Sequence, residues 1–205
     1  NVNVFDTDFR FITNPNLFSP KQLDLGTKFL LENVQISAGK NNILDLGCGW
    51  GAIGIILAKL HHESKIVLTD RDNLALKITK ENILENKINN AIVVLTSNIE
   101  INTFDFILSN LPWHKNLSAV PEMVKQAFDS LKVGGKFYAV ISKQYRTRDR
   151  IEEIFCNSEI VAENESYKVL SATKLSDKID PLREKVLSQL EILKINPDLL
   201  KGQNF

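Results

Sequence analysis

The stretch NILDLGCGWGAIG, residues 42–54, decides the fold predicted for this chain of 205 residues. Asn42–Leu46 is a short apolar run typical of a buried strand, and residues 51–61 have the composition of a helix. The loop between them contains Gly47, Gly49 and Gly51. Glycine lets a backbone turn sharply and approach a ligand, and the following helix begins with free N–H groups. The stretch therefore predicts a ligand site at the carboxyl end of a strand.

Strands and helices alternate from residue 42 onward. Apolar or β-branched runs predict strands at 42–46, 65–69, 91–95, 104–109, 136–141, 159–162 and 167–173. Helical patterns occupy 51–61, 73–86, 118–131 and 148–155, and Val133-Gly134-Gly135 is predicted to end the third of these helices. The alternation predicts a doubly wound α/β domain with a mainly parallel, seven-stranded sheet.

Two segments flank the predicted core, which we place at residues 41–175. Residues 1–40 contain strand-like pieces and then a helix over 20–33, with Ser19 as its N-cap and Pro20 at its first position. Residues 176–205 contain Asp180-Pro181, a second helix start, followed by an apolar helical face. This tail helix is expected either to pack on the domain or to form a homodimer or partner contact.

Composition excludes several functional classes. The chain has 25 basic and 25 acidic residues, so no overall basic field indicates nucleic-acid binding. Its two cysteines, Cys48 and Cys156, are too few for a disulfide framework or a zinc site, so we expect no metal and a reduced, cytoplasmic setting. No apolar run approaches the roughly 18–20 residues that cross a bilayer, and we expect neither a membrane span nor a leader.

The glycine loop allows two interpretations. Gly49-Trp50-Gly51-Ala52-Ile53-Gly54 is a formal G-x-G-x-x-G, and Asp70 follows about 20 residues later, so the pattern alone allows a dinucleotide such as NAD and an oxidoreductase. Asp45 argues against this, because a carboxylate at the end of the first core strand would repel a diphosphate. It suits a ligand that has a cationic amino group and a sulfonium.

DLGCGWG, residues 45–51, resembles the first motif of class I S-adenosylmethionine-dependent methyltransferases, and the resemblance covers roughly residues 14–175. It implies S-adenosylmethionine as the cofactor, with the loop at its methionine end and Asp70 on its ribose hydroxyls. Asn98 stands where related enzymes often have an aspartate beside the adenine, and its amide can still accept from the adenine amine. The predicted cofactor-binding residues are Asp45, Gly47, Cys48, Gly49, Gly51, Asp70, Arg71, Asn98, Asn110 and Thr27.

A second motif, Asn110-Leu111-Pro112-Trp113, directly follows the strand at 104–109. It resembles the N-P-P-[YFW] motif of methyltransferases that modify adenine N6, guanine N2 or glutamine N5. The resemblance implies that the Asn110 oxygen and the Leu111 carbonyl hold the amine hydrogens while Trp113 stacks on the target. Leu111 replaces the first proline and removes its stiffness. Asn110, Leu111, Pro112 and Trp113 are the predicted catalytic residues, and Phe18, Trp113 and His114 the predicted substrate contacts.

LFSPKQLDLGT, residues 17–27, is similar to the F-S-x-x-x-x-D-x-G-T/S segment of the "small domain" methyltransferases, which include ribosomal RNA guanine-N2 methyltransferases. The resemblance implies a segment that folds over the cofactor and the target, with Phe18 as a stacking or lid residue and Thr27 near the methionine end. It favours methyl transfer to guanine N2 of ribosomal RNA.

Three other functions stay open at this point. An adenine-N6 or protein glutamine-N5 methyltransferase is compatible with the second motif, and a nicotinamide oxidoreductase with the G-x-G-x-x-G. A non-catalytic cofactor-binding subunit is suggested by Leu111 and Asn98, which depart from the family pattern. The basic stretch at residues 143–150 would either contact RNA phosphates or form a solvated helix start.

Overall fold

The computed structural model describes residues 1–112, 117–144 and 147–179. Its strands are β1 (Val2–Val4), β2 (Thr7–Phe9), β3 (Asn42–Leu46), β4 (Lys65–Asp70), β5 (Ala91–Leu95), β6 (Phe104–Asn110), β7 (Leu131–Ser142), β8 (Glu159–Glu163) and β9 (Tyr167–Thr173). Its helices are α1 (Leu25–Asn33), α2 (Ala52–Leu60), α3 (Asn73–Glu85), α4 (Val120–Ser130) and α5 (Thr147–Phe155). Short 3₁₀ turns occur at Thr96–Asn98 and Leu117–Ala119.

Seven strands form one sheet in the order β5-β4-β3-β6-β7-β9-β8, while β1 and β2 form a separate antiparallel pair. Strands β5, β4, β3, β6 and β7 are parallel, and β9 runs antiparallel to β7 and β8. The predicted fold class is therefore confirmed. The strand order reverses between β3 and β6, which is where open α/β sheets bind their ligands.

Both faces of the sheet are covered by helices. Ile43 packs in a cluster with residues of α1, α2 and α3, whereas the next residue, Leu44, packs with residues of α4 and α5. Successive strand side chains point to opposite faces, so a central strand needs apolar residues on both faces. This burial explains the continuous apolar run that precedes the glycine loop.

Gly54 lies where α2 crosses the sheet closely. A Cβ atom on this residue would lie 2.4 Å from Cδ2 of Leu68, a residue with no solvent exposure. We expect Gly54→Ala to lower the free energy of unfolding by about 1–3 kcal/mol through overpacking. Chemical denaturation measures this change, and Lys59→Ala on the exposed side of the same helix should change stability by less than about 0.5 kcal/mol. Equal stability of the two variants would contradict the close approach.

Two predicted helix boundaries are wrong. Helix α1 begins at Leu25 rather than near residue 20, because Asp24 is its N-cap and accepts from the backbone N–H of Thr27. Ser19 has a φ of 45° and donates its hydroxyl to the Gln22 carbonyl, closing a turn before the helix. Helix α4 ends at Ser130, and strand β7 begins at the next residue. Residues 133–135 therefore lie within a strand and do not end the helix.

The N-terminal segment is attached to the core by Asn82 of α3 and by Asn86, the C-cap of this helix. Asn82 accepts from the N–H of Ile12 at 2.7 Å and donates to its carbonyl at 2.9 Å. Asn86 makes the same pair of hydrogen bonds with Arg10, at 3.0 and 2.7 Å. These two side-chain amides lie one helical turn apart and satisfy the backbone of residues 10–12 as a neighbouring strand would.

The structure describes only part of the two segments that flank the core. Residues 180–205, which contain the predicted tail helix, lie outside the described residues, so that helix and the domain boundaries at 40 and 175 remain predictions. Within the described ranges, no helix is both long and apolar enough to cross a membrane.

Candidate active site

A cavity of about 1100 Å³ opens at the carboxyl ends of β3, β4 and β6, where the strand order reverses. Its wall also includes α4 and the segment before α1. The predicted site residues that line it are Phe18, Thr27, Gly47, Cys48, Gly49, Asp70, Arg71, Asn110, Leu111 and Pro112. Trp113 and His114 lie outside the described residues. A single small-molecule site typically occupies about 300–1,000 Å³, so this cavity has room for a cofactor and part of a second substrate.

The glycine loop folds onto the end of β4. Gly47, Gly49 and Gly51 have φ angles of 77°, 58° and 90°, in the left-handed region that favours glycine. The N–H of Gly47 donates to the Thr69 carbonyl at 2.9 Å, and that of Gly49 donates to Oδ2 of Asp70 at 2.9 Å. The loop is thus held in one conformation against the residue predicted to bind ribose.

Asp70 lies on the cavity wall as predicted from the sequence. Its Oδ2 accepts from Gly49, and its Oδ1 accepts from the N–H of Asp72 at 3.0 Å. Each carboxylate oxygen can accept more than one hydrogen bond, so the group retains acceptors for ligand hydroxyls. Its side chain can therefore organise the loop and contact a ribose at the same time.

Cys48 lies in the cavity wall but is a buried thiol. Its Sγ lies 3.6 Å from Oγ1 of Thr79, which donates to the carbonyl of Gly49. Burial, together with the nearby carboxylates of Asp45 and Asp70, raises the pKa of Cys48 well above its usual value. Such a thiol is not a nucleophile at neutral pH, so Cys48 contributes shape rather than covalent chemistry.

Asp45 does not line the cavity, and its predicted contact with the methionine end of the cofactor stays a prediction. The residue has no solvent exposure, and its Oδ2 accepts from the N–H of Gly54 at 2.8 Å, at the start of α2. Its Oδ1 has no hydrogen-bond partner among the described residues. Asp45 therefore joins the end of β3 to α2 beneath the loop.

Burial raises the pKa of Asp45 to about 7 from an ordinary value of 3.8, while the hydrogen bond from Gly54 opposes this rise. The unfolded chain releases this proton near pH 3.8, whereas the folded domain holds it until about pH 7. The stability that Asp45 contributes is therefore lost as the pH rises from about 4 to 7. We expect urea denaturation to show a pH-dependent difference between wild type and Asp45→Asn, with the wild type relatively more stable at pH 5 than at pH 8. A constant difference would contradict this expectation.

Two further predicted cofactor residues also lie outside the cavity wall. Gly51 is the N-cap of α2, and a Cβ there would lie 2.9 Å from Cγ2 of Thr79. Asn98 is exposed in the 3₁₀ turn after β5, where its Oδ1 accepts from the hydroxyl of Ser97 at 3.2 Å. Thr96, at the start of that turn, lines the cavity instead and accepts at its carbonyl from Nε2 of Gln126.

The charge of the wall distinguishes between the two possible ligand classes. Four acidic residues and one basic residue line the cavity among the described residues: Asp24, Asp70, Asp72, Glu122 and Arg71. A wall with excess negative charge repels a diphosphate and attracts a cation. The structure therefore favours a sulfonium cofactor over a nicotinamide dinucleotide. No cluster of three or more metal-ligating side chains occurs in the described part of the chain.

Asn110 is placed at the carboxyl end of β6 with its amide fixed. Its Nδ2 donates to Oδ2 of Asp24 at 2.8 Å and to Oγ1 of Thr27 at 2.9 Å. Both hydrogens of the amide are thereby used, and Oδ1 remains as an acceptor on a residue that lines the cavity. Asp24 was not among the predicted site residues, although it stands in the segment at 17–27 that carried the resemblance.

Leu111 compensates in part for the proline that it replaces. Its side chain is 1% exposed and packs in the same core cluster as α4 and α5, which restrains the backbone after Asn110. Pro112 is partly buried and also lines the cavity. The departure from the family motif therefore leaves a fixed backbone at this position.

The segment before α1 reaches over the cavity and is tied to the glycine loop. Phe18 lines the cavity with 57% of its surface exposed, and its carbonyl accepts from Nε1 of Trp50 at 3.0 Å. Trp50 is buried and contacts the edge of Phe11, with ring centroids 4.7 Å apart. The hydrogen bond between Trp50 and Phe18 was not predicted from the sequence, where the tryptophan between two loop glycines is the only signal for it.

The basic stretch at 143–150 is largely neutralised by neighbouring acids. Lys143 pairs with Glu163 at 2.5 Å, Arg148 with Glu152 at 2.9 Å, and Arg150 with Glu153 at 2.8 Å. Residues 145 and 146 lie outside the described residues. These pairs favour the solvated helix start over the alternative of a phosphate-binding patch.

The family model named methyltransferase small domain matches residues 8–171 of this chain. The chain belongs to the methyltransferase small domain family. The family resemblance inferred from the loop, the Asn110 motif and the N-terminal segment is therefore confirmed. The matched range includes the glycine loop, the Asn110 motif and the segment before α1.

Among its relatives is the ribosomal RNA small subunit methyltransferase C of Photorhabdus laumondii, 33% identical over 168 residues, which cover 79% of this chain and 49% of the relative. The Bacillus subtilis protein YbxB is 29% identical over 175 residues, covering 82% of this chain and 87% of YbxB. The chain thus spans about half the length of the former and most of the latter.

A solved structure also resembles this small domain. The 16S rRNA N2 methyltransferase RsmC of T. thermophilus, in complex with AdoMet and guanosine, matches with a TM-score of 0.77 and 25% identity. The match covers 84% of this chain and 49% of RsmC. The cofactor expected from the sequence is therefore the one that this relative binds.

Proposed function

We propose that this chain is an S-adenosylmethionine-dependent methyltransferase domain that modifies guanine N2 of ribosomal RNA. The observation that carries the proposal is the fixed amide of Asn110, a residue of the cavity wall whose Oδ1 remains as an acceptor. An exocyclic amine conjugated to a ring is a poor nucleophile and needs its hydrogens held so that its lone pair faces the methyl group. The amide oxygen of Asn110 provides one such acceptor.

The cavity wall fits the cofactor. Asp70 would accept from the ribose hydroxyls, the left-handed glycine loop would approach the methionine end, and the excess of acidic residues suits a cation. Bound S-adenosylmethionine would supply a methyl group on a sulfonium. Asn110 and the Leu111 carbonyl would hold the two amine hydrogens, and Phe18 would cover the target base. Catalysis would then come mainly from positioning, without a dedicated base.

The relatives support guanine and RNA over the alternatives. Those named above include a small subunit ribosomal RNA methyltransferase and an N2 methyltransferase solved with guanosine. Adenine N6 and protein glutamine N5 share the amine chemistry but have no such support among these relatives. A non-catalytic subunit would use the apolar face of the predicted tail helix, residues 181–194, as its partner surface. This contact, like a homodimer, stays a prediction.

Transfer of tritiated methyl groups separates these functions. The chain is incubated with labelled S-adenosylmethionine and either unmodified ribosomal RNA or cellular protein, and calorimetry measures cofactor binding in parallel. We expect label in RNA and not in protein, and digestion of the RNA should place it on guanosine, since label on adenosine would favour adenine N6. Label in protein would favour glutamine N5, and tight cofactor binding without transfer to either substrate would favour the non-catalytic subunit.

A further inference from the structure

Asp24, Thr27 and Asn110 form a hydrogen-bonded cluster on the cavity wall, between the start of α1 and the end of β6. Oδ2 of Asp24 accepts from the backbone N–H of Thr27 at 2.9 Å and from Nδ2 of Asn110 at 2.8 Å. Oγ1 of Thr27 accepts from the same Nδ2 at 2.9 Å. One carboxylate oxygen thus caps a helix and holds the side chain that is proposed to hold the target amine.

Asp24 and Thr27, the two hydrogen-bond partners of Asn110, differ in which orientations of its amide they allow. A primary amide has a donor end and an acceptor end, which a rotation of the amide exchanges. A hydroxyl both donates and accepts, so Thr27 tolerates either orientation of the amide. An ionised carboxylate only accepts, so Asp24 pairs with Nδ2 and not with Oδ1. The orientation of the amide therefore depends on Asp24.

We propose that Asp24 is a positioning residue for methyl transfer, because it fixes the Asn110 amide so that Oδ1 remains available to the target amine. This inference rests on the proposed function, in which Oδ1 holds an amine hydrogen. Asp24 acts through Asn110, so its loss should lower turnover rather than cofactor affinity.

Gly26 supports this role for the carboxylate. A Cβ atom at this position would lie 3.0 Å from Oδ2 of Asp24 and 3.1 Å from Cε1 of Tyr167. Any larger residue would press on the oxygen that holds Asn110. In the segment at 24–27, Asp24 caps the helix, Gly26 leaves space for its carboxylate, and Thr27 is a second acceptor for the Asn110 amide.

Two substitutions separate helix capping from positioning. Serine is as good an N-cap as aspartate, but its hydroxyl is one bond shorter, so Asp24→Ser keeps the cap and loses the reach to Asn110. Asp24→Asn keeps the cap, the length and an acceptor oxygen for both hydrogen bonds. The two variants therefore have similar helix starts and differ in their hold on Asn110.

Steady-state kinetics with ribosomal RNA, calorimetry with S-adenosylmethionine and thermal denaturation test the inference. We expect Asp24→Ser to lower kcat about 10- to 100-fold, the equivalent of one charge-assisted hydrogen bond, with little change in cofactor Kd or in Tm. Asp24→Asn should retain most of kcat. Wild-type kcat in Asp24→Ser would overturn the inference, because capping alone would then explain the residue.

A second measurement keeps this inference distinct from the proposed function. If the wild-type chain transfers no methyl group to RNA, the proposed function fails, and the inference is then decided by NMR of the Asn110 Nδ2 hydrogens. Slow solvent exchange in wild type and Asp24→Asn, with faster exchange in Asp24→Ser, would support it. Equal exchange in all three proteins would overturn it.

Discussion

Replacing Asn110 with alanine is expected to lower kcat for methyl transfer by at least about 100-fold, the size of effect that loss of precise positioning produces. The substitution removes the acceptor oxygen on the cavity wall but leaves the loop and Asp70, which are proposed to hold the cofactor, unchanged. Cofactor Kd should therefore stay close to the wild-type value. Single-turnover methylation of RNA and calorimetry measure the two quantities separately.

Asn98→Ala provides the matched control for this prediction. Asn98 is exposed and lies outside the cavity wall, so the same change of residue there should leave turnover nearly unaffected. Equal activity of wild type and Asn110→Ala would contradict the account of the target site. A large loss in Asn98→Ala would instead support the adenine contact predicted from the sequence.

Replacing Asp70 with alanine is expected to weaken S-adenosylmethionine binding by at least about 30-fold, which corresponds to about 2 kcal/mol for hydrogen bonds to a charged group. The carboxylate is proposed to accept from the ribose, and it also holds the N–H of Gly49. Both contributions are lost together in this variant. Calorimetry measures the change in Kd, and an unchanged Kd would contradict the proposed ribose site.

Asp70→Asn separates these two contributions. Its amide oxygen can still accept from Gly49, so the loop conformation should persist while the charge and one acceptor are lost. We expect its affinity for the cofactor to lie between those of wild type and Asp70→Ala. Affinity as low as that of the alanine variant would show that the negative charge, rather than the loop, dominates binding.

The sheet and the positions of Asp70 and Asn110 at strand ends could be predicted from the sequence. Each depends on local signals: apolar runs for strands buried on both faces, glycines after β3, and a polar residue at a strand end. Parallel strands bring their carboxyl ends to one edge, so a correct strand assignment also places these residues together.

The remaining features depend on contacts between distant parts of the chain. Asp24 and Asn110 are 86 residues apart, and no periodicity links them. Ser19-Pro20 is a local signal for a helix start, and it led to a wrong predicted start for α1. The cap is Asp24, which also contacts Asn110 at the site, while Ser19 closes a turn. Asp45 closes its strand as predicted, but only the hydrogen bond that it accepts from the N–H of Gly54 shows that its side chain turns toward α2.

Mass-spectrometric analysis of nucleosides distinguishes methylation of guanine N2 from its alternatives. Unmodified ribosomal RNA is incubated with S-adenosylmethionine and either the wild-type chain or Asn110→Ala, and the digested nucleosides are identified. We expect N2-methylguanosine that increases with time in the wild-type reaction and is nearly absent with Asn110→Ala. N6-methyladenosine in its place, or N2-methylguanosine formed equally by both proteins, would contradict it.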